Sequence, residues 1–211
     1  MIVDLAFPLL GGPIPADHGF ALYAAVTEAS PALHGAATFG IHPVGGRPAP
    51  QRRLGLTARS RLVIRTDHTE VPRFLALAGR ALRVGDAQVI VGAPVTLPLR
   101  PRSALQSRLV TIKGFLDPEP FLAAAARQLD TLGIVGTPSL ISPSLGTRFE
   151  DRTRPREGPV RRTLSIHGRE VVGFAVRVTA LAPDHSLRLQ ALGLGGRRRF
   201  GCGVFVPTRG R

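Results

Sequence analysis

The order of predicted strands and helices constrains the fold most, because the same order occurs twice along the chain. Each half contains segments whose apolar residues alternate, as in strands, or recur at helical spacing, and they follow one another as β-α-β-β-α-β. Two such halves predict an α+β protein built from tandem ferredoxin-like (RRM-like) domains. We expect residues 1–97 and 104–211 to be the two domains, and the proline- and arginine-containing segment 98–102 to link them.

Periodicity and turn residues give the individual elements. In the first half, strands are predicted over 1–10, around His42, and over 53–66 and 87–97. Helices are predicted over 15–29 and 71–82. Asp17 is placed to cap the first helix, and Ser30-Pro31 to end it. In the second half, strands are predicted over 105–115 and 203–207, and helices over 117–132 and 184–192. Between them, a charged loop is predicted over 138–162 and a hairpin over 164–181 that turns at His167-Gly168.

The charge of the chain narrows the class of partner. The 211 residues include 28 Lys+Arg against 14 Asp+Glu, a net charge of +14, and Lys113 is the only lysine. Such an excess attracts polyanions, so nucleic acid is the expected partner. A membrane is not expected, because no basic amphipathic helix and no apolar run of about 20 residues is evident. With Cys202 as the one cysteine, no intrachain disulfide is possible, and we expect a cytoplasmic protein.

The sharpest local pattern lies near the C-terminus, where Gly193-Leu-Gly-Gly-Arg-Arg-Arg-Phe-Gly-Cys-Gly203 follows a predicted helix and precedes a predicted strand. Glycine permits close backbone approach to a phosphate, and arginines supply phosphate contacts. A dinucleotide-binding loop needs the reverse order, strand then helix, and a P-loop needs Gly-Lys-Ser/Thr. A glycine-rich turn without a ligand is the alternative. The RNA-binding residues that we predict are Gly193, Gly195, Arg197, Arg198, Arg199, Gly201, Gly203, Arg161, Arg162 and Lys113.

This loop resembles the glycine-rich loop of the RAMP superfamily of CRISPR-associated proteins. Three N-terminal segments are similar to the CRISPR repeat-processing endoribonucleases, in particular the MYXAN-type subfamily: Asp17-His-Gly-Phe-Ala-Leu-Tyr23, Ser30-Pro-Ala-Leu-His34 and Gly40-Ile-His-Pro-Val-Gly-Gly46. The resemblance implies an enzyme that cuts CRISPR precursor RNA within repeats, without a metal or other cofactor. It also implies that the 2′-hydroxyl attacks the scissile phosphate and leaves a 2′,3′-cyclic phosphate. RNA is then the main partner, and other CRISPR effector subunits are further candidates.

The resemblance also implies the catalytic residues. It places a catalytic histidine after the first helix, at His34, and a second at the helix start, at His18, with Tyr23 between them. Histidine suits the roles of base and acid because its pKa lies near neutrality. On a helix His18 and Tyr23 lie about 140° apart, so they do not share one face. His42 is a third candidate, and the lysine that some relatives carry near the catalytic histidine has no counterpart here.

Each of these residues also has a plainer interpretation. His34 can cap the end of the first helix, His18 can lie in water at its start, and Tyr23 can pack in the core. A non-catalytic RAMP subunit that holds guide RNA shares the fold and the loop. A tandem RRM would need stacking aromatics on its central strands, and only 5% of the residues are aromatic. A metal-dependent nuclease is disfavoured because the acidic residues are scattered along the chain.

Overall fold

The computed structural model describes residues 1–33, 39–142, 158–159 and 161–208. The chain forms two compact units. The first consists of Met1–Leu99 together with Arg198–Gly201, and the second of Arg100–Arg197 together with Cys202–Arg211. Each unit has its own hydrophobic core.

The first unit contains nine strands and two helices within its described residues. In chain order they are β1 (Ile2–Gly11), β2 (Ile14–Pro15), α1 (Gly19–Ala29), β3 (Gly40–Ile41), β4 (Arg47–Ala49), β5 (Arg53–Gly55), β6 (Arg61–Asp67), α2 (Val71–Leu75), β7 (Ala81–Val84), β8 (Ala87–Val91) and β9 (Val95–Pro98).

The main sheet of this unit is antiparallel and has the ferredoxin-like order. β1 lies between β6 and β9, and β3 pairs with the outer edge of β6. The order β3-β6-β1-β9 is therefore that of a split βαβ unit, with α1 and α2 as its connections. The β7–β8 hairpin extends the sheet beside the end of β1, and β2, β5 and β4 form a separate small sheet.

Alternation along β1 decides which face carries the core. Leu5, Phe7 and Leu9 are buried with Leu22 of α1 and Phe74 of α2 in one hydrophobic cluster. Successive side chains of a strand point to opposite faces, so the even-numbered residues of β1, Asp4 among them, lie on the face away from this core.

The second unit repeats the order with different lengths. Its described elements are β10 (Leu105–Val110), α3 (Pro118–Thr131), β11 (Thr137–Leu140), β12 (Arg161–Ile166), β13 (Arg169–Thr179), α4 (Pro183–Leu192) and β14 (Val206–Pro207). The sheet order is β11-β13-β10-β14, again antiparallel. β12 pairs with residues 169–174 of β13. None of the helices in the described parts of the chain is both long and apolar enough to cross a membrane.

The hairpin at His167-Gly168 is confirmed. Both residues have positive φ angles, 48° and 74°, as in the two-residue turns that match the twist of antiparallel strands. The predicted helices 117–132 and 184–192 correspond to α3 and α4 within one residue at each end.

Other predictions were wrong in detail. The helix predicted over 71–82 stops after Leu75, because Gly79, at φ 78°, donates its N–H to Val91 and turns the chain into β7. The strand predicted over 53–66 is divided into β5 and β6 by a turn in which Ser60 donates its N–H to the Thr57 carbonyl.

Three further differences concern the ends and lengths of elements. The strand predicted over 87–97 is two strands, β8 and β9. Asp17 does not cap α1, since the N-cap position is His18 and its side chain makes no capping hydrogen bond. The loop predicted over 138–162 begins inside β11 and ends inside β12, and its arginine-rich part, 148–156, lies outside the described residues.

Candidate functional site

The glycine-rich loop begins where α4 ends and is shaped by four glycines with positive φ. These are Gly193, Gly195, Gly201 and Gly203, at φ 70°, 69°, 84° and 65°. A Cβ on Gly195 would overlap the carbonyl oxygen of Thr111, and one on Gly203 would overlap that of Leu194. Glycine is required at both positions for steric and conformational reasons.

Hydrogen bonds donated by backbone N–H groups fix the two ends of this loop. Gly195 donates its N–H to Gln128 Oε1 at 2.8 Å, Gly196 to the Thr111 carbonyl at 3.0 Å and Gly203 to the Leu109 carbonyl at 2.7 Å. These amides already have protein acceptors. The positive charge that the loop offers to a ligand therefore comes from its arginine side chains rather than from these N–H groups.

The three consecutive arginines have different environments. Arg197 is exposed, whereas Arg198 and Arg199 are half-buried in the first unit. Arg199 lies over the ring of Phe39, with its guanidinium carbon 5.2 Å from the ring centroid, a cation–π contact. Arg198 has a buried Nε with no hydrogen-bond partner among the described residues. Burial and the nearby positive charge of Arg65 lower the pKa of Arg198 to about 10.

An aromatic cluster surrounds Tyr23 on α1. Phe200, next to the arginines, meets the Tyr23 ring edge-on at 5.0 Å and the Phe20 ring at 5.6 Å. Phe39 stacks on Tyr23, with 6.4 Å between the ring centroids. Such ring pairs contribute about 0.5–1.5 kcal/mol each beyond buried area. Tyr23 and the loop residues Arg199 and Phe200 are thereby brought together, although they are far apart in sequence.

His18 is buried at the start of α1, with 2% of its surface exposed. Its Nδ1 lies 3.1 Å from the Pro15 carbonyl, and its Nε2 lies 2.9 Å from the Val44 N–H. A carbonyl only accepts and an amide only donates, so the ring carries its proton on Nδ1 and is neutral. In this arrangement both nitrogens hold backbone groups of the first unit.

The predicted catalytic residue His34 lies outside the described residues. The residues that flank segment 34–38 in the structure are Leu33 and Phe39, and both are buried. Phe39 is the residue that stacks on Tyr23 and lies under Arg199.

A charged cluster occupies the face of the main sheet that points away from the helices. Asp4 on β1 pairs in register with Arg65 on β6 and accepts two hydrogen bonds from its guanidinium, at 2.7 and 2.8 Å. His42 follows β3, extends the ladder by donating its N–H to Val63, and has its Nε2 3.2 Å from Asp4 Oδ1. Arg65 is 1% exposed, so the carboxylate compensates a buried charge.

The pKa values in this cluster are shifted in defined directions. Burial raises the pKa of Asp4, but the hydrogen bonds and charges of Arg65 and His42 outweigh it and hold that pKa well below its ordinary value. Burial lowers the pKa of His42, and the charges of Arg65 and Arg198 act in the same direction, against the opposing effect of Asp4. His42 is therefore neutral at neutral pH.

The other predicted RNA-binding residues lie in the second unit. Lys113 is exposed in a turn after β10. Arg161 is exposed and Arg162 half-buried on β12, where they pair in register with Phe174 and Gly173 of β13. Across the described ranges, no group of three or more His, Cys, Asp or Glu side chains is placed to hold a metal ion.

Sequence reasoning missed Asp4, Arg65 and the aromatic partners of Tyr23. The sequence does contain a signal for Asp4. It is a single charge within the apolar run 1–10, and a charge on such a strand needs a partner. The partners lie 38 and 61 residues further along the chain, a pairing that no local pattern encodes.

Comparisons with known proteins agree with one another. The family model described as Cas6 Crispr matches residues 3–210. A CRISPR-associated endonuclease Cas6 from Myxococcus xanthus (strain DK1622) is 35% identical over 207 residues, which cover 98% of this chain and 82% of that protein.

Two solved structures share the fold. One is a CRISPR associated protein Cas6, with 12% identity, a TM-score of 0.65 and coverage of 99% of this chain and 100% of that chain. The other is the product of a Cas6-related gene from Pyrococcus furiosus, with 15% identity, a TM-score of 0.66 and coverage of 98% of each chain. At these identities the likeness establishes the tandem ferredoxin-like fold alone.

Proposed function

Because the chain belongs to the Cas6 family of CRISPR-associated proteins, we propose that it is an endoribonuclease that cuts CRISPR precursor RNA within repeats to give guide RNA. The observation that carries this proposal is the sequence match with a CRISPR-associated endonuclease over nearly the whole chain. Two features of the molecule support it, namely its charge and the surroundings of Tyr23.

The charge supports RNA as the substrate. A net charge of +14 gives strong, salt-dependent attraction to phosphates. The arginines at 197–199 are the proposed phosphate contacts of the glycine-rich loop, since its amides at 195, 196 and 203 are already bonded within the protein. Lys113, Arg161 and Arg162 are proposed as further contacts.

The proposed chemistry is attack of a ribose 2′-hydroxyl on the adjacent phosphorus. The P–O5′ bond breaks, and the products carry a 2′,3′-cyclic phosphate and a 5′-hydroxyl. Three requirements follow: a base for the 2′-hydroxyl, an acid for O5′ and positive charge beside the phosphorane. Histidine and arginine side chains can meet all three, so the proposal requires no metal.

We propose His34 as an acid–base residue, on the strength of the Ser30-Pro-Ala-Leu-His34 resemblance and the need for a group that titrates near neutrality. Tyr23 is proposed to orient the ribose or the phosphate, because its ring lies in contact with Phe200 in the glycine-rich loop. A direct role of His18 on the RNA stays a prediction, and its two backbone hydrogen bonds support a positioning role.

The test of this proposal uses a labelled cognate repeat RNA. Once the cut is mapped, an RNA lacking only the 2′-hydroxyl before that cut should bind normally and stay intact, because the nucleophile is missing. Cleavage of this RNA at the same bond would contradict the mechanism.

The same assay tests His34. His34→Ala should slow single-turnover cleavage about 10²–10⁴-fold, which is about 3–5 kcal/mol in barrier. His68→Ala is the control, since its ring is exposed. A His34→Ala protein that cleaves at the control's rate would remove His34 from the mechanism.

A further inference from the structure

The hydrogen bond between His42 and Asp4 fixes the protonation of the histidine ring. A carboxylate accepts hydrogen bonds and does not donate them, so His42 Nε2 carries the proton in the 3.2 Å contact with Asp4 Oδ1. A neutral ring has one protonated nitrogen. His42 Nδ1 is therefore a lone-pair nitrogen, able to accept a proton.

This nitrogen has no hydrogen-bond partner within the described residues, although 11% of the side chain remains exposed. His18 provides the contrast within the same unit, since both of its nitrogens are bonded to backbone groups. A histidine with one nitrogen held by a carboxylate and the other free to accept a proton has the arrangement of a general base.

The charged groups around the ring suit the same role. Asp4 faces it from β1, Arg65 from β6 and Arg198 from the glycine-rich loop. The two arginines and burial keep the ring neutral, while the carboxylate is placed to stabilise an imidazolium once a proton arrives. Gly201, with φ 84°, brings the loop against Pro43 and Ile41, the residues on either side of His42.

We propose that His42, oriented by Asp4, is the general base that removes the proton from the attacking 2′-hydroxyl. The proposal rests on the proposed function and adds a second histidine to it. The 2′-hydroxyl proton passes to His42 Nδ1, the 2′-oxygen bonds to phosphorus, and the P–O5′ bond breaks as O5′ takes a proton from a separate acid. Asp4 is a positioning residue, and Arg198 supplies positive charge next to the reacting phosphate.

The first test is His42→Gln. The glutamine amide can still donate to Asp4, but it cannot take up a proton at neutral pH. Single-turnover cleavage should slow about 10²–10⁴-fold. RNA affinity should change little, because a neutral imidazole releases no counterion. The control is His68→Gln, which alters another histidine beside an aspartate, Asp67, on the exposed surface and should cleave normally.

The dependence of the rate on pH provides a readout that a merely structural role would not move. A base is active when deprotonated, so the wild-type rate should rise with pH and level off below 6.5, the ordinary histidine pKa, because the pKa of His42 is lowered. His42→Gln should lose this acid limb. An unchanged acid limb at wild-type rate would overturn the proposal.

A second variant tests the proposal if the His42→Gln protein does not fold. His42→Ala leaves a space beside Asp4, and added imidazole should restore cleavage in proportion to its concentration. Rescue supports the base role, and its absence overturns it. Failure of the proposed function is distinguishable: the wild-type protein would then leave repeat RNA intact, whereas failure of this inference requires a wild-type protein that cuts and a His42→Gln protein that cuts equally fast.

Discussion

Replacing Arg198 with methionine should stabilise the protein and weaken its binding to RNA. The Arg198 Nε is buried without a hydrogen-bond partner among the described residues, and the side chain lies near the positive charge of Arg65. No hydrogen bond from the described residues compensates the burial of this Nε, whereas an RNA phosphate beside the guanidinium would. Strain of this kind is commonly kept where function requires it.

The size of the stabilisation follows from the pKa of Arg198, which burial and the charge of Arg65 lower from its ordinary value to about 10. Each pKa unit corresponds to about 1.4 kcal/mol, so the charged form is disfavoured by at most about 3 kcal/mol. Methionine keeps most of the apolar stem and removes the charge. We expect Arg198→Met to raise the free energy of unfolding by about 1–3 kcal/mol, with Tm rising about 2–4 °C for each kcal/mol.

The loss in RNA binding is measured through its salt dependence. One phosphate contact lowers the slope of log K against log salt concentration by about 0.7 for single strands and 0.9 for duplexes. Between about 50 and 200 mM salt, the wild-type affinity should therefore fall about threefold more than that of Arg198→Met. Thermal unfolding and filter binding at the two salt concentrations give both quantities.

Arg197→Met is the matched control, because this neighbouring arginine is exposed. The salt dependence of its RNA binding should decrease by a similar amount, while its free energy of unfolding changes by no more than about 0.5 kcal/mol. Two results would refute the reasoning: an Arg198→Met protein that unfolds at a lower temperature than the wild type, or one whose RNA affinity and salt slope are unchanged.

Three further substitutions test other parts of the structure by thermal unfolding. His18→Ala should cost about 1–3 kcal/mol, because the buried Val44 N–H loses its acceptor, and an unchanged Tm would show that the ring is not structural. Asp4→Asn should cost about 3–5 kcal/mol, because Arg65 loses its buried counter-charge. The pKa of Asp4 is lowered in the folded protein, so this contribution is present at neutral pH and is lost as the pH falls below about 4, and stability should depend less on acid in Asp4→Asn. Gly195→Ala should cost about 1–3 kcal/mol because of its φ of 69° and the overlap with Thr111, whereas Gly196→Ala, with open space around the new Cβ, should be nearly neutral.

The elements that sequence patterns predicted well carry strong local signals. The His167-Gly168 turn, α3 and α4 each combine turn or helix-starting residues with a clear period. The small sheet of β2, β4 and β5 could not be found in this way, because strands of two or three residues are shorter than any period. The helix predicted over 71–82 was wrong in its second half because pairing with β8 outweighs the helical pattern.

The candidate site, like the fold, was predicted only where its residues are close in sequence. The glycine-rich loop was visible because its glycines and arginines are consecutive in sequence. The contacts of Asp4 with His42 and Arg65 join three separate elements, so they emerge only from the fold. Tertiary contacts also decide that the loop amides are hydrogen-bonded within the protein. They decide as well that Arg198 has a buried Nε.

The proposed cleavage of CRISPR repeat RNA through the 2′-hydroxyl, without a metal, can be tested directly. The most direct measurement is incubation of the purified protein with a 5′-labelled repeat RNA in EDTA, followed by analysis of the new 3′ end. The account predicts a single cut within the repeat and a 2′,3′-cyclic phosphate at that end. Cleavage that stops in EDTA and returns with magnesium, or a product that ends in a free 3′-hydroxyl, would contradict it.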